Sequence, residues 1–338
     1  MPFKRRVLSI SRAYVALLAL LALLPLLLLT AIAVDAVRRP KWVSVRLLAF
    51  GVWYLAVEAW MLPRLGATWL RWRREPRQLL AETADLQQQF ASLLFSALRW
   101  LFQMRLEVTG AELVAPGPVI VLVRHTSSAD TLLPTVLLSQ RHGMRLRFVL
   151  KRELLADPCL DIAGNRLPNL FVARDRKNAA QDLAAIRQLA TGMGAMDGVL
   201  IYPEGTRFTP QKQQQALATL RRDHPELAAT AAQWPHVLPP KPGGVLAALA
   251  GAPEADVVWM MHTGLEGLAD LKAIWRGGLV GQTVRVALRR TPRADVPESA
   301  DLQIHWLFAQ WAQVNAWVAA QHSDADATEH APRHGNVD

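Results

Sequence analysis

An uncharged run of 22 residues, 13–34, constrains this chain more than any other feature of its sequence. The run is dominated by leucine, and as a helix it is long enough to cross the hydrocarbon core of a bilayer. A cleaved signal peptide is the competing interpretation, because Lys4, Arg5 and Arg6 form a basic start and residues 33–36 resemble a cleavage site. The run is longer than the apolar part of a usual signal peptide, which favours an uncleaved membrane helix.

A second apolar stretch, residues 42–62, follows after a short basic connection. Its charged residues Arg46 and Glu58 lie near its ends, where a long Arg stem can reach the membrane interface. Cations are more numerous outside the two stretches than between them. By the positive-inside rule, this pattern predicts a membrane-crossing hairpin with both outer flanks, and everything after residue 77, in the cytoplasm. A second stretch that lies flat on the bilayer is the alternative.

The formal net charge of +10 belongs entirely to this N-terminal part. Residues 1–77 carry 13 Lys or Arg and three acidic side chains, whereas the other 261 residues carry 25 of each sign. Because the excess cations flank apolar stretches, the charge distribution argues against a nucleic-acid partner. Residues 1–77 are therefore predicted to be a membrane anchor of two apolar helices with basic flanks.

The rest of the chain has the composition of a folded domain. Over all 338 residues, 51% are hydrophobic and 20% are charged, which excludes a disordered chain. The one cysteine, Cys159, excludes an intrachain disulfide and a cysteine-based zinc site. A single domain is predicted over residues 78–321, followed by a disordered polar tail over residues 322–338.

Short β-branched runs alternate with helical segments in this domain, which predicts an α/β fold. The expected architecture is a mixed, largely parallel sheet flanked by helices and preceded by the N-terminal hydrophobic helical hairpin. Residues 90–106 predict either an amphipathic helix on the bilayer or a helix of the core. The predicted strands are 119–123, 147–150, 170–173, 199–202, 257–261 and 283–288, and the predicted helices are 131–141, 179–195, 211–232, 243–250, 265–275 and 300–321.

The first candidate for chemistry follows the strand at 119–123. His125 precedes Asp130 by five residues, which could pair a general base with an orienting carboxylate. Five residues of a regular helix turn by about 140°, so the pair requires His125 on the loop and Asp130 in the first helical turn, folded back beneath it. An Asp130 that only interacts with the helix dipole is the simpler alternative. A nucleophilic Ser127 or Ser128 is a third, although neither lies in a G-x-S-x-G elbow.

A second candidate, residues 202–207 with the sequence YPEGTR, also follows a predicted strand. Gly205 permits a tight turn, and Arg207 offers a planar fork for a phosphate. Glu204 could hold Arg207 in place or accept a hydrogen bond from a polar group of a substrate. The alternative for this segment is an ion pair on a surface loop.

Three further positions follow predicted strands or open a helix. Lys151 and Arg174 each come directly after a strand, where sites collect in α/β sheets. Residues 238–244, LPPKPGG, form a proline turn before a helix, and glycines at a helix start let an anion approach closely. A plain turn explains this last segment equally well.

Together these segments resemble the lysophospholipid acyltransferase family, best known from the 1-acylglycerol-3-phosphate acyltransferases. That family carries a His-x4-Asp block, an Arg block after a strand, a Phe/Tyr-Pro-Glu-Gly-Thr-Arg block and a proline–glycine block. All four occur here in this order, with Glu204 79 positions after His125. The segments EGTRFTPQKQ and VLPPKPGG are similar in particular to the bacterial inner-membrane branch and its eukaryotic relatives, and the resemblance covers roughly residues 95–320.

The resemblance implies a role for each candidate residue. His125 would be the general base and Asp130 its partner. The residues that would hold the glycerol-phosphate end of the acceptor are Glu204, Gly205, Thr206 and Arg207, with Arg174 and Lys151, and those of the acyl-donor region are Pro239, Pro240 and Gly243. Two positions depart from the family: Arg124 stands where Asn is frequent, and Ala173 replaces an acidic residue before Arg174. These departures concern recognition of the head group and leave the general base untouched.

The resemblance also implies an activity and a location. The expected reaction moves a fatty acyl group from acyl-CoA or acyl-ACP (acyl carrier protein) to the free hydroxyl of a lysophospholipid such as lysophosphatidic acid, in phospholipid synthesis or remodelling. No metal and no other cofactor is expected. The expected location is the inner (cytoplasmic) membrane, with the catalytic domain facing the cytoplasm. A lipid esterase or phosphatase that uses His125, and a catalytically silent lipid-binding protein, are the alternatives.

Overall fold

The computed structural model describes residues 2–38, 41–173, 178–268 and 271–330. Within them, a seven-stranded sheet has the order β1-β7-β6-β2-β5-β3-β4. Its neighbouring strands are parallel except for β6 and β7, which are antiparallel. This confirms the predicted mixed, largely parallel sheet. The strands are β1 (Arg105–Thr109), β2 (Val119–Val123), β3 (Arg145–Lys151), β4 (Leu170–Val172), β5 (Asp197–Ile201), β6 (Asp256–Thr263) and β7 (Thr283–Thr291).

Helices flank both faces of the sheet and precede it. They are α1 (Pro2–Arg38), α2 (Val43–Trp72), α3 (Pro76–Leu101), α4 (Leu132–Pro134), α5 (Pro158–Arg166), α6 (Ala179–Ala190), α7 (Pro210–Asp223), α8 (Pro225–Ala231), α9 (Pro242–Gly251), α10 (Leu271–Trp275) and α11 (Ala300–His330). A 3₁₀ turn, Ala129–Thr131, precedes α4, and a wider π-helical segment, Thr135–Gln140, follows it. Prolines at the first turn begin several of these helices, since a residue there needs no backbone N–H donor.

The central strand β2 is buried along its whole length and separates two hydrophobic cores. Val119, Val121 and Val123 point into a core that includes Phe95 and Leu98 of α3. The alternate residues of β2 point into the opposite core, which α9 and α11 cover. This alternation follows from the two-residue period of a strand, and it leaves the carboxyl end of β2 free for a loop.

Residues 90–106, predicted to be either an amphipathic helix on the bilayer or a helix of the core, belong to two elements. Helix α3 ends at Leu101, and its Phe95 and Leu98 belong to the core, as the core-helix alternative requires. Strand β1 then begins at Arg105, and it is not among the strands predicted from the sequence. Helix α5 was missed as well; the side chain of Asp157 caps it by accepting a hydrogen bond from the N–H of Leu160.

The last helix is longer than the sequence predicts. Helix α11 continues to His330, past the expected end at residue 321, so the first part of the expected disordered tail is helical. Residues 331–338 lie outside the described part of the chain. The predicted boundary at residue 77 falls inside α3, and the division into an anchor and a catalytic domain stays a prediction.

Two N-terminal helices are long and apolar enough to cross a membrane, Phe3–Arg38 and Val43–Trp72. Both ends of α1 contact the rest of the protein. At its start, Arg5 forms two hydrogen bonds with the buried carboxylate of Asp161 on α5. At its end, Arg38 donates to the backbone oxygen of Trp275, and Lys41 in the following connection donates to that of Val280. The predicted pair of apolar N-terminal helices is therefore confirmed, and its crossing of the membrane stays a prediction.

Candidate active site

His125 and Asp130 lie together at the carboxyl end of β2, in the geometry that their spacing requires. His125 is on the loop, and Asp130 is in the 3₁₀ turn, folded back toward it. The Nδ1 atom of His125 lies 3.1 Å from Oδ1 of Asp130. Because a carboxylate accepts hydrogen bonds, this contact places the proton of neutral His125 on Nδ1 and leaves Nε2 as its basic atom.

The carboxylate of Asp130 is itself held in place. It is fully buried, and its Oδ2 accepts the backbone N–H groups of Thr126 at 2.7 Å and Ser127 at 2.8 Å. The Oγ of Ser127 in turn accepts the N–H of Asp130 at 3.3 Å. Hydrogen bonds to the ionised form hold a buried carboxylate in one orientation, so Asp130 can fix the ring of His125. These contacts explain Asp130 better than the helix dipole alone does.

Glu204 connects the two candidate segments. Its side chain is 1% exposed, and its two oxygens accept the backbone N–H groups of His125 at 2.9 Å and Leu238 at 3.0 Å. Burial raises the pKa of Glu204 to about 7, although both hydrogen bonds act in the opposite direction. Through these bonds Glu204 joins the turn after β5 to the His125 loop and to the segment of Leu238, and its contact with the substrate stays a prediction.

The turn at Gly205 depends on the absence of a side chain. Gly205 has φ of +69°, in the left-handed region, and a Cβ atom there would lie 3.2–3.4 Å from the side chain of Lys241. Beside it, the Nζ of Lys212 donates to the hydroxyl of Thr206 and to the backbone oxygen of Arg207. The turn thus brings Lys212 next to Arg207 and Lys241 next to Gly205, and neither lysine was a predicted site residue.

Arg207 reaches the histidine loop. Its Nη1 donates to the hydroxyl of Ser128 at 3.3 Å, and the next backbone N–H, of Phe208, donates to the oxygen of His125 at 3.0 Å. The guanidinium and the imidazole therefore lie on adjoining loops at one edge of the sheet. The hydroxyls of Ser127 and Ser128 contact Asp130 and Arg207, which does not favour either serine as a nucleophile.

Tyr202 completes the surroundings of the imidazole. Its ring packs on that of His125 with centroids 4.5 Å apart. Burial and the charge of Asp130 raise the pKa of Tyr202 well above 10, so its hydroxyl stays neutral. The sequence offered no sign of this contact beyond the position of Tyr202 just before Pro203.

The remaining predicted residues divide between the same edge and other places. Lys151 ends β3 and pairs in register with Val172, so it lies at the edge where β2 and β5 also end. Arg174 lies outside the described residues. The proline–glycine block adjoins the Glu204 turn, since the N–H of Lys241 donates to the oxygen of Pro203 at 2.8 Å. Pro239 and Pro240 are buried, whereas Gly243, in the first turn of α9, packs toward Leu183.

One group of potential metal ligands occurs among the described residues, and it is separate from this site. Glu58, Asp157 and Cys159 have ligand atoms within 4.8 Å of one another. Burial, with the negative charges beside it, raises the pKa of the Cys159 thiol, and a protonated thiol is a poor ligand. That the reaction needs no metal stays a prediction.

Comparison with known proteins identifies the part of the chain that holds this site. Residues 105–253 match the family model described as Acyltransferase. The fold is similar to that of the 1-acyl-sn-glycerophosphate (LPA) acyltransferase PlsC from Thermotoga maritima, with a TM-score of 0.50 and 15% identity over 79% of this chain and 96% of that chain. No curated protein matches the sequence significantly.

Proposed function

We propose that this chain, whose residues 105–253 match the Acyltransferase family model, is a lysophospholipid acyltransferase that moves a fatty acyl group from a thioester to the free hydroxyl of a lysophospholipid. The observation that carries the proposal is the His125–Asp130 pair beside Arg207. His125 supplies a base, Asp130 orients it, and Arg207 supplies a cation within reach of the same loop. An anionic acceptor with a nearby hydroxyl fits this combination.

The proposed step needs one proton transfer in each direction. The hydroxyl oxygen of the lysolipid attacks the carbonyl carbon of the thioester, while Nε2 of His125 takes the hydroxyl proton. The tetrahedral intermediate then collapses: the C–S bond breaks, and the thiolate leaves and receives the proton from His125. Asp130 remains ionised and stabilises the transient imidazolium. Because thiolates leave readily, the step requires no covalent intermediate on the enzyme.

The phosphate of the acceptor would bind at the turn that follows β5. Arg207 offers two parallel N–H donors, and Thr206, Lys212 and Lys241 lie beside it. Lys151 and Arg174 would extend the positive charge along the edge. The acyl donor, CoA or acyl carrier protein, would approach from the side of the proline–glycine block at Pro239, Pro240 and Gly243. Lysophosphatidic acid is the proposed acceptor, and phospholipid synthesis or remodelling is the proposed role.

The bilayer would hold this domain through α1 and α2. Helix α1 has 37 residues, about 55 Å of helix, yet both of its ends contact the domain, which favours a helix embedded along one face of the membrane. The exposed tryptophans Trp42 and Trp275 lie near its carboxyl end and suit the membrane interface. We place the enzyme on the cytoplasmic side of the inner membrane, where acyl thioesters are made and used.

The experiment that tests the function measures lipid products. Purified enzyme in vesicles receives lysophosphatidic acid, an acyl thioester or both, and mass spectrometry detects diacylated lipid. Wild type should form this product only with both substrates. His125→Ala should stay folded and lose a hundredfold or more of the turnover, whereas His305→Ala, at an exposed position of α11, should keep it.

Other outcomes of the same experiment contradict the proposal. Free fatty acid or inorganic phosphate as the main product would indicate a hydrolase, the first alternative. Binding of lysolipid without any product would indicate a lipid-binding protein. Unchanged turnover in His125→Ala would remove this residue from the chemistry.

A further inference from the structure

The residue before the general base, Arg124, has a buried guanidinium whose two Nη atoms bind three residues on two other segments. Arg124 is 2% exposed. Its Nη1 donates to a carboxylate oxygen of Glu266 and to the backbone oxygen of His262, both at 2.6 Å. Its Nη2 donates to the backbone oxygen of His236 at 3.0 Å. A buried guanidinium is costly unless it is paired and hydrogen-bonded, so these contacts fix the backbone next to His125 strongly.

His262, near the end of β6, in turn binds Arg124 through its own side chain. Its side chain is fully buried, and its Nε2 lies 2.8 Å from the backbone oxygen of Arg124. Each of the two residues therefore binds the other's backbone oxygen through its side chain. Burial lowers the pKa of His262, so its ring is neutral at pH 7, and the contact with a carbonyl oxygen places its one proton on Nε2.

The same Nε2 atom also faces the catalytic pair. It lies 3.7 Å from Oδ2 of Asp130, the oxygen that accepts the N–H groups of Thr126 and Ser127. His125 lies 3.3 Å from the same oxygen through its Nδ1, so both imidazoles adjoin Oδ2 of Asp130. No other described side chain joins the ends of β2 and β6 in this reciprocal way, since β2 and β6 are otherwise linked through backbone bonds.

We propose that Arg124 and His262 form a reciprocal clamp that positions the His125–Asp130 pair for proton transfer. Both are positioning residues: they act through the backbone at residue 124 and through Asp130, and they contact no reacting atom. The inference rests on the proposed function and adds residues to it. It also gives a physical reason for Arg at position 124. The long guanidinium side chain reaches partners on two other segments, and the shorter side chain of Asn would not reach them.

We expect loss of these contacts to lower the reaction rate as well as the stability, because Arg124 lies so close to His125. Arg124 is covalently next to His125, and displacement of a catalytic group by about 1 Å can cost on the order of a hundredfold in rate. Glu204 holds the N–H of His125 from the other side. Without the clamp, the loop would still be bound to Glu204, but His125 would be displaced. This displacement lowers kcat more than it changes the binding of substrates.

The test compares two replacements of His262 in the full-length enzyme in vesicles, with lysophosphatidic acid and an acyl thioester as probes. His262→Gln keeps an N–H donor for the oxygen of Arg124, and His262→Leu removes it. We expect His262→Leu to lower kcat about 10- to 100-fold, with KM for lysophosphatidic acid within about threefold of wild type. His262→Gln should recover kcat to within about fivefold, although both variants lower Tm.

Thr263→Val is the matched control. It alters the next residue of β6, which is likewise buried at 3% exposure, and should leave kcat at the wild-type value. If His262→Leu lowers Tm but keeps the wild-type kcat per folded molecule, or if Gln and Leu are equally impaired in kcat, the clamp is overturned.

A second variant decides the matter should His262→Leu fail to fold. Arg124→Lys keeps the charge but loses the fork, and kcat should fall about tenfold or more at a similar KM. Wild-type kcat in this variant overturns the clamp. Turnover that survives His125→Ala instead overturns the proposed function, so the two failures are distinguishable.

Discussion

Buried polar atoms with defined partners organise the site at the scale of single residues. Asp130 binds backbone N–H groups and His125, and Glu204 joins the backbone of His125 to that of Leu238. Glu204 is fully buried, and the negative charge of Asp130 near it also favours its protonated form. Burial accordingly raises the pKa of Glu204 to about 7, above the 4.5 usual for Glu.

This raised pKa predicts how stability depends on pH. The folded state binds the Glu204 proton more tightly than the unfolded state does, so the free energy of unfolding falls as the pH rises from about 4.5 to 7, by up to roughly 3 kcal/mol. The side chain of Gln in Glu204→Gln does not titrate. Its amide N–H₂ would face one of the two backbone N–H donors, and this unpaired contact lowers the free energy of unfolding by about 1–3 kcal/mol. We therefore expect Glu204→Gln to be less stable than wild type at pH 5 and the difference to shrink or reverse by pH 8, in urea unfolding.

The matched control for this pH dependence is Glu254→Gln, at an exposed position before β6. It should give a curve of stability against pH parallel to that of wild type. If Glu204→Gln also runs parallel to wild type from pH 5 to 8, the proton on Glu204 does not contribute as described.

At the scale of elements, the turns after the parallel strands place the functional groups. The turn after β5 has its left-handed residue at Gly205, above which the side chain of Lys241 lies. Gly192 has nearly the same backbone angle, φ of +66°, but nothing lies within 4 Å of the position that a Cβ would take. Comparison of substitutions at the two glycines therefore distinguishes the effect of backbone strain from the effect of contact with Lys241.

Alanine at each glycine provides a prediction for the turn. Both Gly205→Ala and Gly192→Ala should lose about 1 kcal/mol of stability through the left-handed backbone. Only Gly205→Ala should also displace Lys241 and lower kcat/KM for lysophosphatidic acid, by roughly tenfold as loss of one charged contact would. Thermal unfolding and initial rates measure the two effects. Equal activity in both variants would show that the position of Lys241 is unimportant.

At the scale of the whole molecule, the N-terminal helices are part of the folded body and not only a tether. Arg5 and Arg6 at the start of α1 bind Asp161, whose side chain is fully buried. Val43 at the start of α2 lies in the core of the sheet. Because both ends of α1 contact the domain, we expect Lys41 to lie on the same side of the membrane as the candidate active site.

Labelling with cysteine tests this arrangement in membranes. In Lys41→Cys, a membrane-impermeant maleimide should react from the same face of the vesicle as in Ser323→Cys on α11. The native Cys159 is buried and should react little. A hairpin that crosses the membrane twice predicts instead that residues 41 and 323 react from opposite faces, and that result would exclude the embedded arrangement.

Local signals in the sequence determined much of this protein. The apolar runs predicted α1 and α2, and β-branched runs predicted β2 at its observed bounds, because burial on both faces requires continuous apolar residues. The spacing of His125 and Asp130 predicted their folded-back contact. Segment 90–106 was harder, since a short strand directly after an apolar helix has the same composition as a continuation of that helix.

Only the tertiary structure decided which polar groups meet. Glu204 and Arg207 are three residues apart, yet Glu204 binds backbone groups of residues 125 and 238, which are brought to it by the order of the strands. Arg124, His262 and Asp130 meet for the same reason, as do Arg5 and Asp161 across the N-terminal helices. Periodicity and propensity act over a few neighbouring residues, whereas these contacts join segments that only the packed sheet and helices bring within hydrogen-bond distance.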